Sequence, residues 1–388
     1  MPNFRVKKLK EPKFPFEKDG VKFIDIAKGR VVDLLLVEAG GERFFITIKP
    51  SKELFVIKGE KLTRPAKVGL LQKALEIYRD EFCDELVSNS INFKKNSLTK
   101  NSEIIKDEIS ALNELKNHDK VAIEIGFGSG RHLLFQAGEK KDVFHLGIEI
   151  YKPGVEQVAK QALKSEISNL CLVNTDARNF LNLVQSNSVD TIYLHFPVPW
   201  DDAPHRRVIS TEFMSEVQRV LKNGGTFELR SDSRAYVDFS MLKFLDMDFV
   251  NLEVFKNRDI EVSSKYEDRW KKQEKDIYDI IVKNYKISEP LNDRDSKFSF
   301  SKLNPERVYK NFRRERLKFD DFFLNFEEVY KFSSKNVLLK LSFGDFDVAQ
   351  NCFILISDNE TKYFINEPLK TIKNQKAHKK IGELLLQW

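Results

Sequence analysis

A glycine-rich segment, EIGFGSG at residues 124–130, narrows the choice of folds for this chain more than any other part. It follows an apolar run, Val121–Ile125, and leads into a helix-like segment, after which a second apolar run ends in the acid Glu149. Strand, glycine turn, helix, strand and acid, in this order, are typical of a nucleotide-type cofactor site on a parallel sheet. Glycines let the main chain turn tightly and approach a ligand, and the acid can accept hydrogen bonds from a ribose diol.

The spacing of the glycines distinguishes between two kinds of cofactor. A dinucleotide site usually reads G-x-G-x-x-G and binds pyrophosphate at the helix N-terminus. Here the glycines are Gly126, Gly128 and Gly130, and Glu124 lies inside the strand. A carboxylate there would repel pyrophosphate, whereas S-adenosylmethionine carries an ammonium and a sulfonium and no phosphate. We therefore expect S-adenosylmethionine rather than a nicotinamide; a surface turn without a ligand would not explain why Glu124 and Glu149 end successive strands.

Length and composition indicate a soluble protein with more than one domain. The chain has 388 residues, enough for two or three domains, and is 41% hydrophobic and 32% charged. Its N-terminus lacks the apolar segment of a signal peptide, and its apolar runs are too short to cross a bilayer. The three cysteines lie far apart and the six histidines show no metal-binding spacing. We expect a cytoplasmic protein that binds neither a membrane nor a metal.

Three regions are predicted along the chain: an N-terminal α+β region at 1–100, a central region at 101–287 and a C-terminal α+β region at 288–388. The first should contain three strands and an amphipathic helix, at Val31–Val37, Arg43–Lys49, Leu54–Ile57 and Val68–Val87. The last should contain a basic helix, three strands and a final helix, at Pro305–Leu317, Val337–Phe343, Cys352–Ser357, Tyr363–Ile365 and Gln375–Leu386. A polar linker, Asn92–Asn101, and a helix from Ser102 to Lys116, capped by Ser102, should precede the glycine-rich segment.

Strands and helices alternate in the central region. Strands are predicted at 121–125, 144–149, 170–174, 190–196, 226–231, 249–255 and 277–282. Helices are predicted at 130–138, 154–164, 177–184 and 211–222, and Gly224-Gly225 should form the tight turn into the fifth strand. Because parallel strands need crossover connections, this alternation predicts a doubly wound α/β sheet. Ligands should then bind beyond the carboxyl ends of the strands.

The ends of the third and fourth strands carry further candidate residues. Asp176 can bind an adenine amine or simply cap the next helix. The loop FPVPW at 196–200 should be rigid, because its two prolines hold the chain extended. Trp200 can stack on a purine or be buried in the core. Arg206 and Arg207 follow at once and favour an anionic substrate.

Asp232 ends the fifth strand, where it can bind a guanine edge or serve in a turn, and SKYE at 264–267 adds a lysine, an aromatic ring and an acid. The net charge of +6 is mild for this length. Basic residues nevertheless cluster at Arg5–Lys18, Lys94-Lys95, His205–Arg207, Lys265–Lys275, Arg307–Lys318 and Lys373–Lys380. Such clusters fit a polyanion, although composition alone leaves a nucleic-acid partner and an ordinary solvated surface equally open.

Taken together, these segments resemble the bacterial tRNA (guanine-N7)-methyltransferases. The resemblance covers about residues 100 to 285, with the matching segments in the family's order: EIGFGSG at 124–130, GIE at 147–149, DA at 176–177, FPVPW at 196–200, HRR at 205–207, Ser231-Asp232 and SKYE at 264–267. It implies a Rossmann-like, class I S-adenosylmethionine-dependent methyltransferase sheet. The two ends of the chain would make it a long form of this family.

The resemblance also implies an activity, the transfer of a methyl group from S-adenosylmethionine to N7 of a variable-loop guanine in tRNA. It implies a cofactor site made of acids and glycines: Glu124, Gly126, Gly128, Gly130, Glu149 and Asp176. The guanine and its neighbours would be bound by Asp232, Ser264, Lys265, Tyr266 and Glu267, with Trp200, Arg206 and Arg207 as further candidates.

The chain departs from the family at one position of the proline loop. The family usually has F-P-D-P-W with a catalytic Asp, whereas Val198 stands there, and Asp201 and Asp202 occupy the place of a common lysine. Guanine N7 has an in-plane lone pair and no proton, so no general base is needed, and we expect activity with Asp201 or Asp202 as a displaced carboxylate. A tRNA-binding relative without turnover and a methyltransferase for another RNA base stay open.

Overall fold

The computed structural model of the chain describes residues 2–65, 67–91, 103–262, 275–291 and 297–388. The chain divides into two units, one of Met1–Leu98 with Arg294–Trp388 and the other of Thr99–Asp293. We call them the flanking unit and the central unit. The two ends of the chain, predicted as separate regions, therefore contribute to one unit. None of the helices described is long and apolar enough to cross a membrane.

The N-terminal part of the flanking unit consists of antiparallel strands and one helix: β1 (Asn3–Leu9), β2 (Phe16–Lys18), β3 (Val21–Lys28), β4 (Asp33–Ala39), β5 (Glu42–Ser51), β6 (Leu54–Gly59), α1 (Val68–Phe82) and β7 (Cys83–Asn89). The first three strands were not predicted. In β1, buried Phe4 and Val6 alternate with exposed Arg5 and Lys7, the pattern of a strand with one face in the core.

The helix predicted at Val68–Val87 is too long, because it ends at Phe82. Cys83 turns to extended backbone, and the residues after it pair with β1, where Leu9 lies opposite Cys83. Tertiary pairing thus overrides a local helical pattern.

The central unit alternates strands and helices: β8 (Ile105–Lys106), α2 (Glu108–Leu115), β9 (Val121–Ile125), α3 (Arg131–Glu139), β10 (Phe144–Ile148), α4 (Lys152–Lys164), β11 (Leu170–Val173), α5 (Ala177–Leu181), β12 (Val189–His195), α6 (Thr211–Val220), β13 (Leu221–Ser231), α7 (Arg234–Leu245), β14 (Val250–Lys256) and β15 (Tyr278–Asn284). All seven predicted strands are present. Residues 92–102, which include the predicted linker, lie outside the described residues. The helix predicted from Ser102 is too long, because Ile105–Lys106 pair with β11 and α2 begins at Glu108. Its cap is Asp107, whose carboxylate accepts from the N–H of Ser110 at 2.9 Å.

Gly224-Gly225 does not precede the fifth strand but lies inside it. Strand β13 begins at Leu221, opposite Val189, and its pairing with β12 then shifts so that Thr226 lies opposite Thr191. Gly224 adopts a φ of +83°, which suits an irregularity of this kind.

The C-terminal part of the flanking unit contains α8 (Pro305–Asn311), β16 (Glu315–Lys318), β17 (Phe323–Phe332), β18 (Val337–Gly344), β19 (Ala349–Ile356), β20 (Thr361–Phe364) and α9 (Ile372–Gln387). The predicted helix at Pro305–Leu317 is too long, because residues from Glu315 pair with β17. Strand β17 itself was not predicted.

The central sheet has the strand order β14-β15-β13-β12-β9-β10-β11-β8. Strands β8 to β13 are mutually parallel, and β15 runs antiparallel to β13 and β14. The predicted α/β class is confirmed, with an antiparallel pair at one edge. In the register of β9 and β10, Glu124 lies opposite Gly147, so their carboxyl ends meet at one edge. Apolar clusters cover both faces.

The flanking unit has one twelve-stranded sheet in the order β20-β19-β18-β17-β3-β4-β5-β6-β1-β7, with β16 on β17 and β2 on β3. The two ends of the chain are joined by antiparallel pairing between β17 and β3, where Phe332 lies opposite Ala27. A cluster that includes Leu34, Phe45, Tyr330 and Phe353 packs across this junction. One apolar core therefore connects sequence segments about three hundred residues apart.

Candidate active site

The glycine turn connects β9 to α3 at the carboxyl edge of the central sheet. Gly126, Gly128 and Gly130 adopt φ values of +68°, +53° and +71°, the left-handed region that favours glycine. The N–H of Gly126 donates to the carbonyl of Ile148 at 2.8 Å, and that of Gly130 donates to the carbonyl of Phe127 at 2.8 Å. The three glycines therefore leave the main chain accessible to a ligand at the N-terminus of α3.

Replacing Gly130 by alanine is expected to destabilise the protein by about 1–3 kcal/mol. An added Cβ would lie 2.5 Å from Cγ2 of Val158 on α4. Gly138 is the matched control, because it lies inside α3 and its added Cβ would meet nothing within 4 Å. Gly138→Ala should be neutral or stabilising by up to about 1 kcal/mol. Urea unfolding of both variants measures the difference, and a Gly130→Ala protein as stable as wild type would contradict this packing.

The carboxylate of Glu149 is held by main chain on two sides. Its Oε2 accepts from the N–H of Gly128 at 3.1 Å and its Oε1 from the N–H of Tyr151 at 2.9 Å. The neighbouring Ile150 and Tyr151 are 73% and 65% exposed. An acid fixed beside exposed apolar surface fits a nucleoside, with the ribose diol on Glu149 and the base on the apolar side chains. The sequence reasoning found Glu149 but missed Ile150.

Glu124 is buried and faces a histidine that the sequence reasoning missed. Nδ1 of His132, in the first turn of α3, lies 2.7 Å from Oε2 of Glu124, and both side chains are more than 90% buried. Burial alone would lower the pKa of His132, but the adjacent Glu124 carboxylate outweighs it and holds this pKa above its usual value. Glu124 thus already has a histidine partner in the protein, whose protonated form it stabilises. The sequence feature that could have indicated this partner is a histidine two residues after the last glycine of the turn.

The His132–Glu124 pair is expected to make the free energy of unfolding depend on pH above about pH 6.5, the ordinary pKa of histidine. Because the pKa of His132 is raised on folding, the contribution is complete below about pH 6.5 and is lost as the pH rises through the folded value. Urea unfolding of wild type and His132→Gln between pH 6 and pH 9 should show a stability difference that shrinks with rising pH. A difference that stays constant over this range would show that the pair carries no net proton linkage.

A largely buried network of polar and charged side chains continues from this pair at the strand ends. The rings of His132 and His195 have centroids 4.5 Å apart, and Nε2 of His195 lies 3.1 Å from Oε1 of Glu228. Arg258 then links Glu228 to Asp279, with 3.3 Å to an oxygen of each. Burial would raise the pKa of Glu228, but the hydrogen bond to His195 and the charge of Arg258 hold it below its usual value.

The network ends in a fully buried ion pair that supports the proline loop. Nη1 of Arg230 lies 2.5 and 2.6 Å from the two oxygens of Asp279, and neither side chain is exposed. The carbonyl of Arg230 accepts from the N–H of Phe196 at 2.7 Å. Phe196 adopts a φ of +50°, so the loop begins with a sharp turn that β13 stabilises. None of these network residues was predicted as functional.

The proline loop is closed by its two arginines. Nε of Arg207 donates to the carbonyl of Pro199 at 2.7 Å, and its Nη2 donates to Oδ1 of Asp201 at 3.3 Å. The guanidinium of Arg206 lies 3.7 Å from the ring centroid of Trp200. Arg207 is buried, so its observed contacts shape the loop, whereas Arg206 and Trp200 form a stacked pair at the surface. Their predicted roles in substrate binding stay predictions.

The side chain of Val198, which stands where the family has its aspartate, is exposed to solvent. Val198 is 60% exposed. Of the two replacement candidates, Asp201 is held by Arg207, and Asp202 is exposed. Both residues directly follow the proline loop in the sequence. A catalytic role for either stays a prediction.

The remaining predicted residues lie at the same edge or outside the described residues. Asp176 caps α5 through the N–H of Arg178 at 3.0 Å and forms a two-point ion pair with its guanidinium, so the capping role is observed and adenine binding stays a prediction. Asp232 follows β13, and its Oδ2 accepts from Nζ of Lys275 at 2.9 Å. The predicted contacts of Ser264, Lys265, Tyr266 and Glu267 lie outside the described residues.

The strand order, the glycine turn and the acids at the carboxyl edge define a Rossmann-like methyltransferase of class I. A family model described as "Putative methyltransferase" matches residues 118–280. The tRNA (guanine-N(7)-)-methyltransferase of Campylobacter fetus is 44% identical over 391 residues, covering 99% of both chains. Proteins of the same name from Wolinella succinogenes and Helicobacter hepaticus are 36% and 33% identical, covering at least 99% of each chain. This chain belongs to the tRNA (guanine-N(7)-)-methyltransferase family.

Proposed function

We propose that this protein transfers a methyl group from S-adenosylmethionine to N7 of a guanine in tRNA. The observation that carries the proposal is the 44% identity, over 99% of both chains, to a protein of that name. Because the match includes both ends of the chain, the flanking unit belongs to the same kind of enzyme. Since tRNA is its substrate, the proposal also locates the protein in the cytoplasm.

The residues at the carboxyl edge of the central sheet fit S-adenosylmethionine. Glu149, oriented by two main-chain N–H groups, would bind the ribose diol, and exposed Ile150 would contact the adenine. Glu124, held by His132, would face the ammonium, and the glycine turn would let the cofactor approach the main chain. Asp176 would bind the adenine amine from its capping position. The cofactor supplies an electrophilic methyl group on a sulfonium.

Methyl transfer to N7 requires the protein to position the guanine base, but it does not require the protein to remove a proton. Guanine N7 carries a free in-plane lone pair, so the protein must hold it in line with the methyl group. The main chain of the proline loop is fixed by Arg207 and by the N–H of Phe196, independently of the side chain at position 198. Asp232 would stabilise the positive charge that develops on the purine.

Val198 is also the observation that favours a second candidate function. With a valine that is 60% exposed where the family has its aspartate, the protein would bind tRNA without turnover. The two candidates differ only in whether product is formed.

The proposal is tested by identifying the nucleoside product. Purified protein is incubated with labelled S-adenosylmethionine and tRNA that lacks 7-methylguanosine, and the digested tRNA is analysed by mass spectrometry. We expect label in 7-methylguanosine. No product at high enzyme concentration, with tRNA still bound, would select the second candidate. Label in a different nucleoside would instead show a methyltransferase for another RNA base.

A further inference from the structure

One face of the flanking sheet changes from apolar to basic along strand β5. Alternate residues point to opposite faces of a strand. Phe45, Thr47 and Lys49 share one face, and along it the side chains pass from fully buried to 9% exposed and then to exposed. The buried end packs against the C-terminal strands, where the rings of Phe45 and Phe353 have centroids 5.4 Å apart. Beyond this contact the face is open.

The open part of this face carries three cations without an ion pair on three adjacent strands, β5, β6 and β1; Lys7, two residues along β1 from Arg5, is paired with Glu85. Lys49 lies opposite Val56, and Val56 lies opposite Arg5, so the backbones of Lys49 and Arg5 are about 10 Å apart. Lys58 is two residues along from Val56 and points to the same side, about 7 Å away. We call Arg5, Lys49 and Lys58 the basic face. Val56 at its centre is half-buried, and Ser88 of β7 lies opposite Arg5.

These three cations have no acidic partner in the described part of the chain, whereas several other cations of the N-terminal strands do. Lys8, Lys10 and Lys18 each form an ion pair, as do Lys28 and Arg43. Like charges on one face of neighbouring strands repel one another. The arrangement therefore costs a little stability in the free protein, and a polyanion laid across it would remove the repulsion.

We infer that the basic face binds backbone phosphates of the tRNA substrate. This inference rests on the proposed function, because it names tRNA as the polyanion. Three cations on a rigid sheet, with the neutral hydroxyl of Ser88 beside them, suit sugar-phosphate contacts that position an RNA without reading its sequence. A protein partner would need acidic or apolar complementarity over a larger area, whereas the patch is small and its three unpaired charges are all positive.

The basic face is a product of strand register rather than of sequence clustering. Lys49 and Lys58 belong to none of the basic runs visible in the sequence. Conversely, the run Lys373–Lys380 looks basic in sequence, yet Lys373, Lys376 and Lys380 are each paired with an acid. The basic face is therefore identified by strand register and by the absence of ion pairs among the described residues, and not by the density of charge along the sequence.

The experiment compares two triple variants of the full-length protein with equal charge change. The test variant is Arg5→Gln, Lys49→Gln and Lys58→Gln. The control is Lys22→Gln, Lys73→Gln and Lys335→Gln, three exposed lysines on β3, α1 and the turn after β17. Binding of unmodified tRNA is measured by fluorescence anisotropy at several salt concentrations. Methyl transfer to the same tRNA and binding of S-adenosylhomocysteine are measured in parallel.

We expect the test variant to bind tRNA about tenfold or more weakly at ~0.1 M salt and to lower the salt slope of log Kd by about two. Its KM for tRNA should rise in parallel, while S-adenosylhomocysteine binding and the melting temperature match those of the control. Equal tRNA affinity and salt slope in the two variants would overturn the inference. If wild type forms no 7-methylguanosine but its tRNA binding still depends on these three cations, the proposed function fails and the basic face stands.

Discussion

Replacement of Glu149 by alanine should raise the Kd for S-adenosylmethionine by about 100-fold or more. The carboxylate is held by the N–H groups of Gly128 and Tyr151, so its orientation toward a ribose diol is set before the ligand arrives. A hydrogen bond to a charged group contributes about 1.5–3 kcal/mol, and a diol makes two. Calorimetric titration measures the affinity directly.

Glu139→Ala is the control for this prediction, because Glu139 is an exposed acid at the far end of α3. It should bind the cofactor like wild type. Thermal unfolding of both variants separates lost binding from lost structure. A folded Glu149→Ala protein with wild-type affinity would remove Glu149 from the cofactor site.

Asp279→Asn should have the largest effect on stability, lowering the free energy of unfolding by about 3–5 kcal/mol. The side chains of Arg230 and Asp279 are wholly buried, with Nη1 2.5 and 2.6 Å from the two carboxylate oxygens. Neutralising the acid leaves a buried guanidinium without its counter-charge. Because Arg258 also bonds to Asp279, the network toward Glu228 should loosen as well. Urea unfolding, monitored by fluorescence, measures the loss.

An exposed ion pair of the same unit provides the comparison. Lys120 and Asp142 are 61% and 67% exposed, so Asp142→Asn should leave stability nearly unchanged. Removing both buried charges, in Arg230→Met with Asp279→Leu, should recover much of the loss, because no unpaired charge is then buried. Equal stability of Asp279→Asn and Asp142→Asn would show that the buried pair is not part of the folded core.

The parts of the fold that depend on local sequence were predictable. Strand β9, the glycine turn and α3 follow from an apolar run, three glycines and a helical pattern, all within twenty residues. Strands β1 and β7 were missed because their stability comes from pairing with each other across about eighty residues. The prediction that the helix extends to Val87 is wrong for the same reason, because no residue near Phe82 in the sequence indicates pairing with β1.

The candidate site shows the same division. Acids at strand ends are visible in the sequence, because parallel strands present their carboxyl ends at one edge. Their partners are not: His132 meets Glu124 through the turn of α3, and Arg230 meets Asp279 across 49 positions. The charge state and rigidity of the site come from these partners, so packing had to be known before they could be named.

The central claim, that the carboxyl edge of the central sheet is an S-adenosylmethionine site, is tested most directly by calorimetric titration of wild-type protein with S-adenosylhomocysteine and, separately, with NAD. We expect S-adenosylhomocysteine to bind one site per chain, and to raise the free energy of unfolding by about 2.7 kcal/mol at 100 times its Kd, with no binding of NAD. The claim would be contradicted if NAD gave a heat of binding and stabilised the protein while S-adenosylhomocysteine did neither.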